Sequence, residues 1–409
     1  MLYISIKLCS GEHMNTKKKY KKTQTACYLG FITQAICANF APLLYLTFYR
    51  EYGISLGKLA LISASLFFVQ MAVDLVCAKY VDGIGYRKCA VAAQLLSGIG
   101  IAGLAFLPEM MPSPFAGILI CTVIYAVGSG LIEVIGSPII EACPFENKEQ
   151  SMSLLHSFYC WGTMGVILGS TAFFVIFGAE NWRYLALIWA LIPLYNIYNF
   201  AVCPIEPLVK DGESMSIRGL FGTKLFWLLI VLMVCAGASE LAMAQWASAL
   251  AEATLKVSKT VGDLAGPCGF ALAMGICRAL YAKYGERVDL RVFMLCSGAL
   301  CVLSYLLVAF SDASGVGLLG CILCGFSVGI MWPGSISISS AALPNGGTAM
   351  FALLALSGDL GGAIGPAIVG TISQRMGDDL QRGVLAGIVF PLVLCLSVII
   401  LRRRENKEK

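Results

Sequence analysis

The chain has 409 residues, of which 58% are hydrophobic and only 13% charged, with a formal net charge of +5 and a mean hydropathy of +0.80. Ordinary globular chains run to about 25% charged residues, so a water-soluble fold of this size could not cover the apolar surface that remains. Apolar stretches of roughly 20 residues recur without polar alternation, which indicates membrane-crossing helices and points away from a β-barrel.

Twelve spans are predicted in chain order, over 23–48, 55–81, 89–109, 115–142, 151–177, 184–203, 224–254, 259–284, 291–311, 315–343, 346–376 and 383–401. They delimit an N-terminal segment 1–22, a first bundle 23–203, a linker 204–223, a second bundle 224–401 and a tail 402–409. The linker carries Glu206, Lys210, Asp211, Glu213 and Arg218 and is too short for a separate soluble domain. Lys and Arg gather on one side: the Lys17–Lys22 cluster, Lys79, Arg87, Lys88, Lys148, Lys210, Arg218, Lys224, Lys283, Arg287, Arg291 and the tail from Arg402. The other side holds only Arg50, Lys58, Arg183, Lys256, Lys259, Arg375 and Arg382. Both termini are therefore expected in the cytoplasm, with the protein in a bacterial cytoplasmic membrane. The net charge reflects this asymmetry and implies no nucleic-acid partner. The first span is too long for a cleavable signal. Met14, followed by Asn-Thr-Lys-Lys-Lys, reads as a start, with 1–13 an upstream extension.

Most of the 17 cysteines lie within apolar spans, where thiols pack as small apolar groups. Cys321 and Cys324 form a C-x-x-C in mid-span without a partner pair, so neither metal nor redox work is expected of them. Gly98-x-Gly100-x-x-Gly103 and Gly315-x-Gly317-x-x-Gly320 match a dinucleotide fingerprint, but that motif needs a preceding strand. In membrane helices such small residues let backbones approach, and Gly358, Gly361, Gly362 and Gly365 read the same way. There is no Walker A loop, no H-E-x-x-H and no G-x-S-x-G, so no enzyme chemistry and no cofactor is expected.

The chain also repeats itself. At an offset of 200 positions Gly85 and Arg87 fall on Gly285 and Arg287, Ser97 and Gly98 on Ser297 and Gly298, and Gly162 and Gly165 on Gly362 and Gly365. A duplicated, very hydrophobic chain is the signature of a two-halved transporter with its site where the halves face each other. The expected fold is all-α, with twelve transmembrane helices in two pseudo-symmetric six-helix bundles.

Ionisable residues within spans are costly and usually serve a pathway. Glu133 lies well inside span 4, with Ser137 and Glu141 following near one face. Dehydration favours the neutral form of a carboxyl, which suits a proton carrier. Glu133 is the first choice for proton coupling, with His156 and Tyr159 across from it on span 5; the alternative is a Glu paired structurally to another helix. His156 also lies near a helix end, where it could simply hydrogen-bond. In span 7, Glu240, Gln245 and Trp246 combine a carboxylate and an amide for hydroxyls with an indole for a pyranose face. Trp332 and Trp161 could add further surfaces, and Trp246 reads equally as an interface anchor. Asp359 and Arg278 are the remaining deep charges.

The loop after span 2 reads Ala78-Lys-Tyr-Val-Asp82-Gly-Ile-Gly85-Tyr-Arg87-Lys88. It resembles the signature loop of the major facilitator superfamily, and Arg278-x-x-x-Ala282-x-x-Gly285-Glu-Arg287 is a worn second copy. The resemblance implies that Asp82, Arg87 and Glu141 form a latch controlling conformation; the plainer alternative is that they terminate helices at the headgroups. Asp74, Ala78 and Asp82 form a stripe that in this fold faces span 11, which assigns Asp74 to a gate. Arg278, at the position equivalent to Ala78, would face span 5 as a counter-ion or gating group. Gly130-Leu-Ile-Glu133-x-x-x-Ser137-Pro138, then His156, Tyr159 and Trp161-Gly162, is similar to spans 4 and 5 of the fucose permease-like sugar:proton symporters, as is Trp332-Pro333 in span 10. The departures are Ser137 for an Asn, His156 and Tyr159 for a Gln and an Asn, and Asn39 in span 1 where that group carries an acid; they point away from L-fucose itself.

The sequence therefore predicts a monomeric secondary transporter of a small polar solute, a sugar or sugar-like compound, coupled to protons by alternating access. Proton coupling is assigned to Glu133, Asp359 and His156. Solute contact falls to Asn39, Glu133, Tyr159, Glu240, Gln245, Trp246 and Trp332, and gating to Asp74, Asp82, Arg87, Glu141 and Arg278. The alternatives are a drug or metabolite:proton antiporter and a non-transporting membrane sensor.

Overall fold

The computed structural model describes residues 2–209, 214–247, 264–311, 313–377 and 379–408, and among them every regular element is a helix. In chain order these are α1 (Leu2–Leu43), α2 (Tyr45–Tyr52), α3 (Leu56–Ile84), α4 (Tyr86–Gly103), α5 (Leu107–Met110), α6 (Pro114–Ala142), α7 (Lys148–Phe177), α8 (Trp182–Val202) and α9 (Ile217–Gly222). There follow α10 (Lys224–Ala244), α11 (Gly269–Tyr284), α12 (Leu290–Ala309), α13 (Ser314–Val328), α14 (Met331–Ala342), α15 (Gly347–Arg375), α16 (Leu380–Gly387) and α17 (Val389–Glu408). Lys210, Asp211 and Glu213 of the linker, and residues 248–263, which take in the end of span 7, Lys256 and the start of span 8 at Lys259, lie outside the described residues.

A backbone in lipid must satisfy its own N–H and C=O groups, and a continuous apolar run does so by coiling into a helix. Among the described residues, ten helical segments are long and apolar enough to cross a membrane. The other two predicted spans are α4 and α11. The first opens on Arg87 and Lys88, which dilutes its apolar character, and the second is described over only 16 residues.

Several spans are less continuous than their hydropathy. α1 contains Pro42 and gives way at Leu44, whose N–H bonds three residues back to the Ala41 carbonyl at 3.0 Å, before α2 begins. A proline lacks the N–H of a regular helical turn and crowds the preceding one. Span 3 ends at Gly103 rather than near 109; Leu104, Ala105 and Phe106 make tight turns into α5. Span 10 is broken between α13 and α14 at Gly329 and Ile330, just before Pro333. Span 12 begins at Leu380, where the Asp379 side chain accepts hydrogen bonds from the N–H groups of Gln381 and Arg382, and it changes course between α16 and α17.

The chain divides into two compact units, one formed by Met1–Ser151 with Gly165–Ser214 and the other by Met152–Met164 with Met215–Lys409. In the first unit, Phe40, Leu44, Phe48, Ile118, Tyr125 and Trp182 belong to one apolar cluster, with Phe48 edge-on to Trp182 at 5.3 Å. In the second, α10 and α15 touch along small residues. A methyl group added to Gly365 would sit 2.7 Å from the Ala238 carbonyl oxygen, and methyls on Gly237 and Gly361 would strike the backbone of Gly358 and Val234. The glycines of span 11 thus serve close backbone approach.

The repeated loops have diverged in backbone as well as sequence. Gly85, between α3 and α4, has φ +92°, a conformation that strains any residue with a Cβ. Its repeat partner Gly285 has φ −59° and opens a single 3₁₀ turn, Gly285–Arg287.

Candidate functional site

Polar groups inside the spans gather in two places, one in each unit. In the first unit they lie where α3 meets α6. Gly130 allows the helices to close: a Cβ there would be 3.1 Å from Val73 Cβ and 3.3 Å from Gln70 Cα. At that separation Gln70 reaches across, and its Nε2 donates to Glu133 Oε2 at 3.1 Å and lies 3.3 Å from Ser129 Oγ. Gln70 and Ser129 are buried, whereas Glu133 is half-buried. Asp74, one turn beyond Gln70 on α3, is fully buried, while Asp82 at the far end of the same stripe is exposed.

The second unit is organised by Arg278 of α11. Its side chain is 3% exposed, and that of Glu240 on α10 is 15% exposed, with Arg278 Nη2 3.5 Å from Glu240 Oε2. Three further N–H groups of the guanidinium are also used. Nε donates to the Gly329 carbonyl at 2.8 Å, and Nη1 donates to the His156 carbonyl at 3.0 Å and lies 3.1 Å from Cys160 Sγ. The Arg278 carbonyl in turn accepts from Ser153 Oγ at 2.8 Å. Arginine suits this position because its fixed fork of five donors can serve several acceptors at once. One side chain thereby ties α10, α11, the Met152–Met164 stretch of α7 and the break between α13 and α14. The break matters chemically, since it presents the carbonyl that Arg278 uses.

Beside this cluster Trp332 lies over Gly358 of α15, where any Cβ would strike its ring. The next residue is Asp359, whose Oδ2 is buried without a hydrogen-bond partner among the described residues. Trp246 is engaged in packing. Its indole N–H donates to the Pro366 carbonyl at 3.2 Å, and the ring covers Gly370 at 2.9 Å from where a Cβ would be. α10 stops at Ala244, so Gln245 and Trp246 fall in a turn inside the predicted span 224–254, and Gln245 is exposed. Asn39 is half-buried on α1 and donates to the Ala35 carbonyl at 2.8 Å. His156 is buried and Tyr159 half-buried on α7.

At the basic-rich helix ends, Arg87 donates to the Phe200 and Ala201 carbonyls at 2.9 and 2.7 Å, placing a cation at the C-terminus of α8. Lys148 does the same for α6, through the carbonyls of Glu141 and Cys143. Glu141 itself is half-buried at that end.

Four contributors escaped the sequence reading: Gln70, Ser129, Cys160 and the Gly329 carbonyl. Gln70 carried a signal, since it extends the Asp74–Ala78–Asp82 stripe by one turn, and Ser129 stands one turn before Glu133. The roles of Cys160 and Gly329 exist only in the folded unit.

No curated protein sequence is detectably similar to the chain. Solved structures are similar in fold at low identity. A Major Facilitator Superfamily transporter, FucP, in the outward conformation, matches with a TM-score of 0.79 at 14% identity, covering 94% of this chain and 99% of that one. The proton:xylose symporter XylE, bound to 6-bromo-6-deoxy-D-glucose, matches with a TM-score of 0.81 at 12% identity, covering 95% and 96%. The human organic anion transporter MFSD10 matches with a TM-score of 0.67 at 16% identity, covering 92% and 99%. These likenesses concern the fold alone and agree with the all-α, twelve-helix architecture. The sequence model of the Major Facilitator Superfamily matches residues 26–366 and 247–409, and the chain belongs to that family.

Proposed function

We propose that this protein is a proton-coupled secondary transporter of a small, neutral polar solute, a sugar or sugar-like compound, working by alternating access in a bacterial cytoplasmic membrane with both termini inside. The observation that carries the reading is Glu133, a half-buried carboxyl within a membrane span that is hydrogen-bonded by an amide. An amide can serve a carboxyl in either protonation state, because it carries both donors and acceptors. Glu240 is different, because Arg278 compensates its charge and holds it in place.

The two acids therefore take different roles. Glu133 carries the proton, with Asp359 and His156 as further groups in the coupling path. Glu240 presents an ionised acceptor to solute hydroxyls, with Trp332, Tyr159 and Asn39 completing the contact set. A neutral hydroxyl-rich solute suits Arg278, four of whose five N–H groups are already engaged by Glu240, two carbonyls and a thiol. An anionic solute could form the bidentate contact typical of arginine only by displacing some of them. Arg87 and Lys148, seated on helix C-termini, belong to the machinery that holds or releases the helix ends.

Uptake of a panel of neutral monosaccharides and of monocarboxylates into proteoliposomes, with and without an imposed pH gradient, tests the reading. Accumulation of at least one sugar only with an inward proton gradient is expected. Uptake confined to carboxylates, or unaffected by the gradient, overturns it.

A further inference from the structure

A proton site must be satisfied twice, once with the carboxyl charged and once with it neutral, and Arg278 shows why a cation is a poor companion for such a site. A guanidinium has donors only, so it favours one protonation state. A carboxamide has two donors on nitrogen and two acceptor lone pairs on oxygen, and these exchange places when the group turns by half a revolution. Gln70 meets Glu133 in this way, with Nε2 3.1 Å from Oε2. Its second neighbour, Ser129 Oγ, is 3.3 Å from the same nitrogen, and a hydroxyl can either accept or donate. In the charged state the Gln70 amide donates to both groups. In the neutral state the turned amide accepts from the Glu133 O–H and from the Ser129 O–H, so both of these hydrogen bonds are kept with their direction reversed.

The backbone is arranged to allow this. Gly130 brings α3 within contact of α6 beside Gln70, and Ser129, Gly130 and Glu133 share one and a bit turns of α6. Other charged groups on α6 and its packing partners are Lys58, Asp74, Lys79 and Asp82 of α3, Arg87 and Lys88 of α4, Glu109 of α5, Glu141 of α6 and the Lys19–Lys22 stretch of α1. Of these Asp74 is the nearest in sequence to Gln70, Arg87 is engaged by the end of α8, and Glu109 is paired with Arg183.

We infer that Gln70 is the positioning residue of the proton site: its carboxamide, tethered by Ser129, donates to ionised Glu133 and, after turning over, accepts from the protonated acid. The inference rests on the reading of Glu133 as the proton carrier. Glu133→Gln tests that reading; Gln70→Met, nearly isosteric but without an amide, tests the inference. Hydrogen bonds to a charged group are stronger than neutral ones, so losing the amide should move the midpoint of the pH profile for uptake upward by about one unit. Proton-driven accumulation should fall severalfold relative to solute counterflow.

A second readout is the carbonyl stretch of protonated Glu133 in infrared difference spectra, assigned by its loss in Glu133→Gln. It should move to higher frequency in Gln70→Met, where nothing accepts from the acid in the same way. If that variant does not insert, Gln70→Asn, whose amide stops one carbon short, is expected to shift both readouts in the same directions. An unmoved profile and an unmoved band in a folded Gln70 variant overturn the role of Gln70. If Glu133→Gln still accumulates solute against its gradient, the underlying reading fails instead.

Discussion

Replacing Arg278 by Met leaves Glu240 inside the second unit with its counter-ion gone. The two groups are 3.5 Å apart and nearly enclosed by protein, which at an effective dielectric of about 20 corresponds to an attraction of about 5 kcal/mol. Much of that attraction offsets the dehydration of both ions, so the pair itself contributes little net stability. Removing one partner, however, strands the other at about 3–5 kcal/mol. Met at 278 also leaves the Gly329 carbonyl without the donor it now has, adding about 1–3 kcal/mol if no water replaces it. The double variant Arg278→Met/Glu240→Leu removes both charges and should recover most of the first cost and none of the second. Equilibrium unfolding in mixed micelles measures all three proteins and closes the double-mutant cycle. A double variant no more stable than Arg278→Met would show that Arg278 does not serve to compensate Glu240.

Gly365→Ala puts a Cβ 2.7 Å from the Ala238 carbonyl oxygen, and because the obstacle is backbone, α10 and α15 must part. The expected cost is about 1–3 kcal/mol, read as loss of monodisperse protein on size exclusion after mild heating; unchanged behaviour would contradict the tight packing. Arg183 joins Glu51 of α2, Tyr52 and Glu109 of α5, with Glu109 about three-fifths exposed. Such pairs are worth about 1 kcal/mol or less, so Arg183→Ala should lower stability slightly, and the difference should shrink in high salt. Arg87→Gln removes a cation from the C-terminus of α8 and should cost about 0.3–1 kcal/mol. It should alter transport rate more than stability if Arg87 takes part in conformational control; equal uptake rates would assign it to capping alone.

The fold was legible because its rule is simple: in lipid, a long apolar run becomes a helix. What hydropathy could not see were the interruptions. Leu44 and the Gly329–Ile330 break look as apolar as their surroundings, and only Pro42 and Pro333 hint at them. The second unit's cluster was half visible. Arg278 and Glu240 stood out as charges in apolar runs, but their pairing depends on how α10 and α11 pack, and the carbonyl of Gly329 has no side chain to announce it. Trp246 shows the opposite limit. Its residue type fits a sugar platform as well as a packing ring, and the choice is made by Pro366 and Gly370 more than a hundred positions away. Gln70 was overlooked because an amide in a span attracts less notice than a charge, although it is the group that meets Glu133.

The most direct test is to follow external pH in a weakly buffered suspension of proteoliposomes as the transported sugar is added down its own gradient. Wild-type protein should draw protons in with the sugar and turn the medium alkaline, while Glu133→Gln should move sugar without any pH change. An alkaline shift of wild-type size in Glu133→Gln, or none in the wild type during sugar entry, would contradict proton coupling at Glu133.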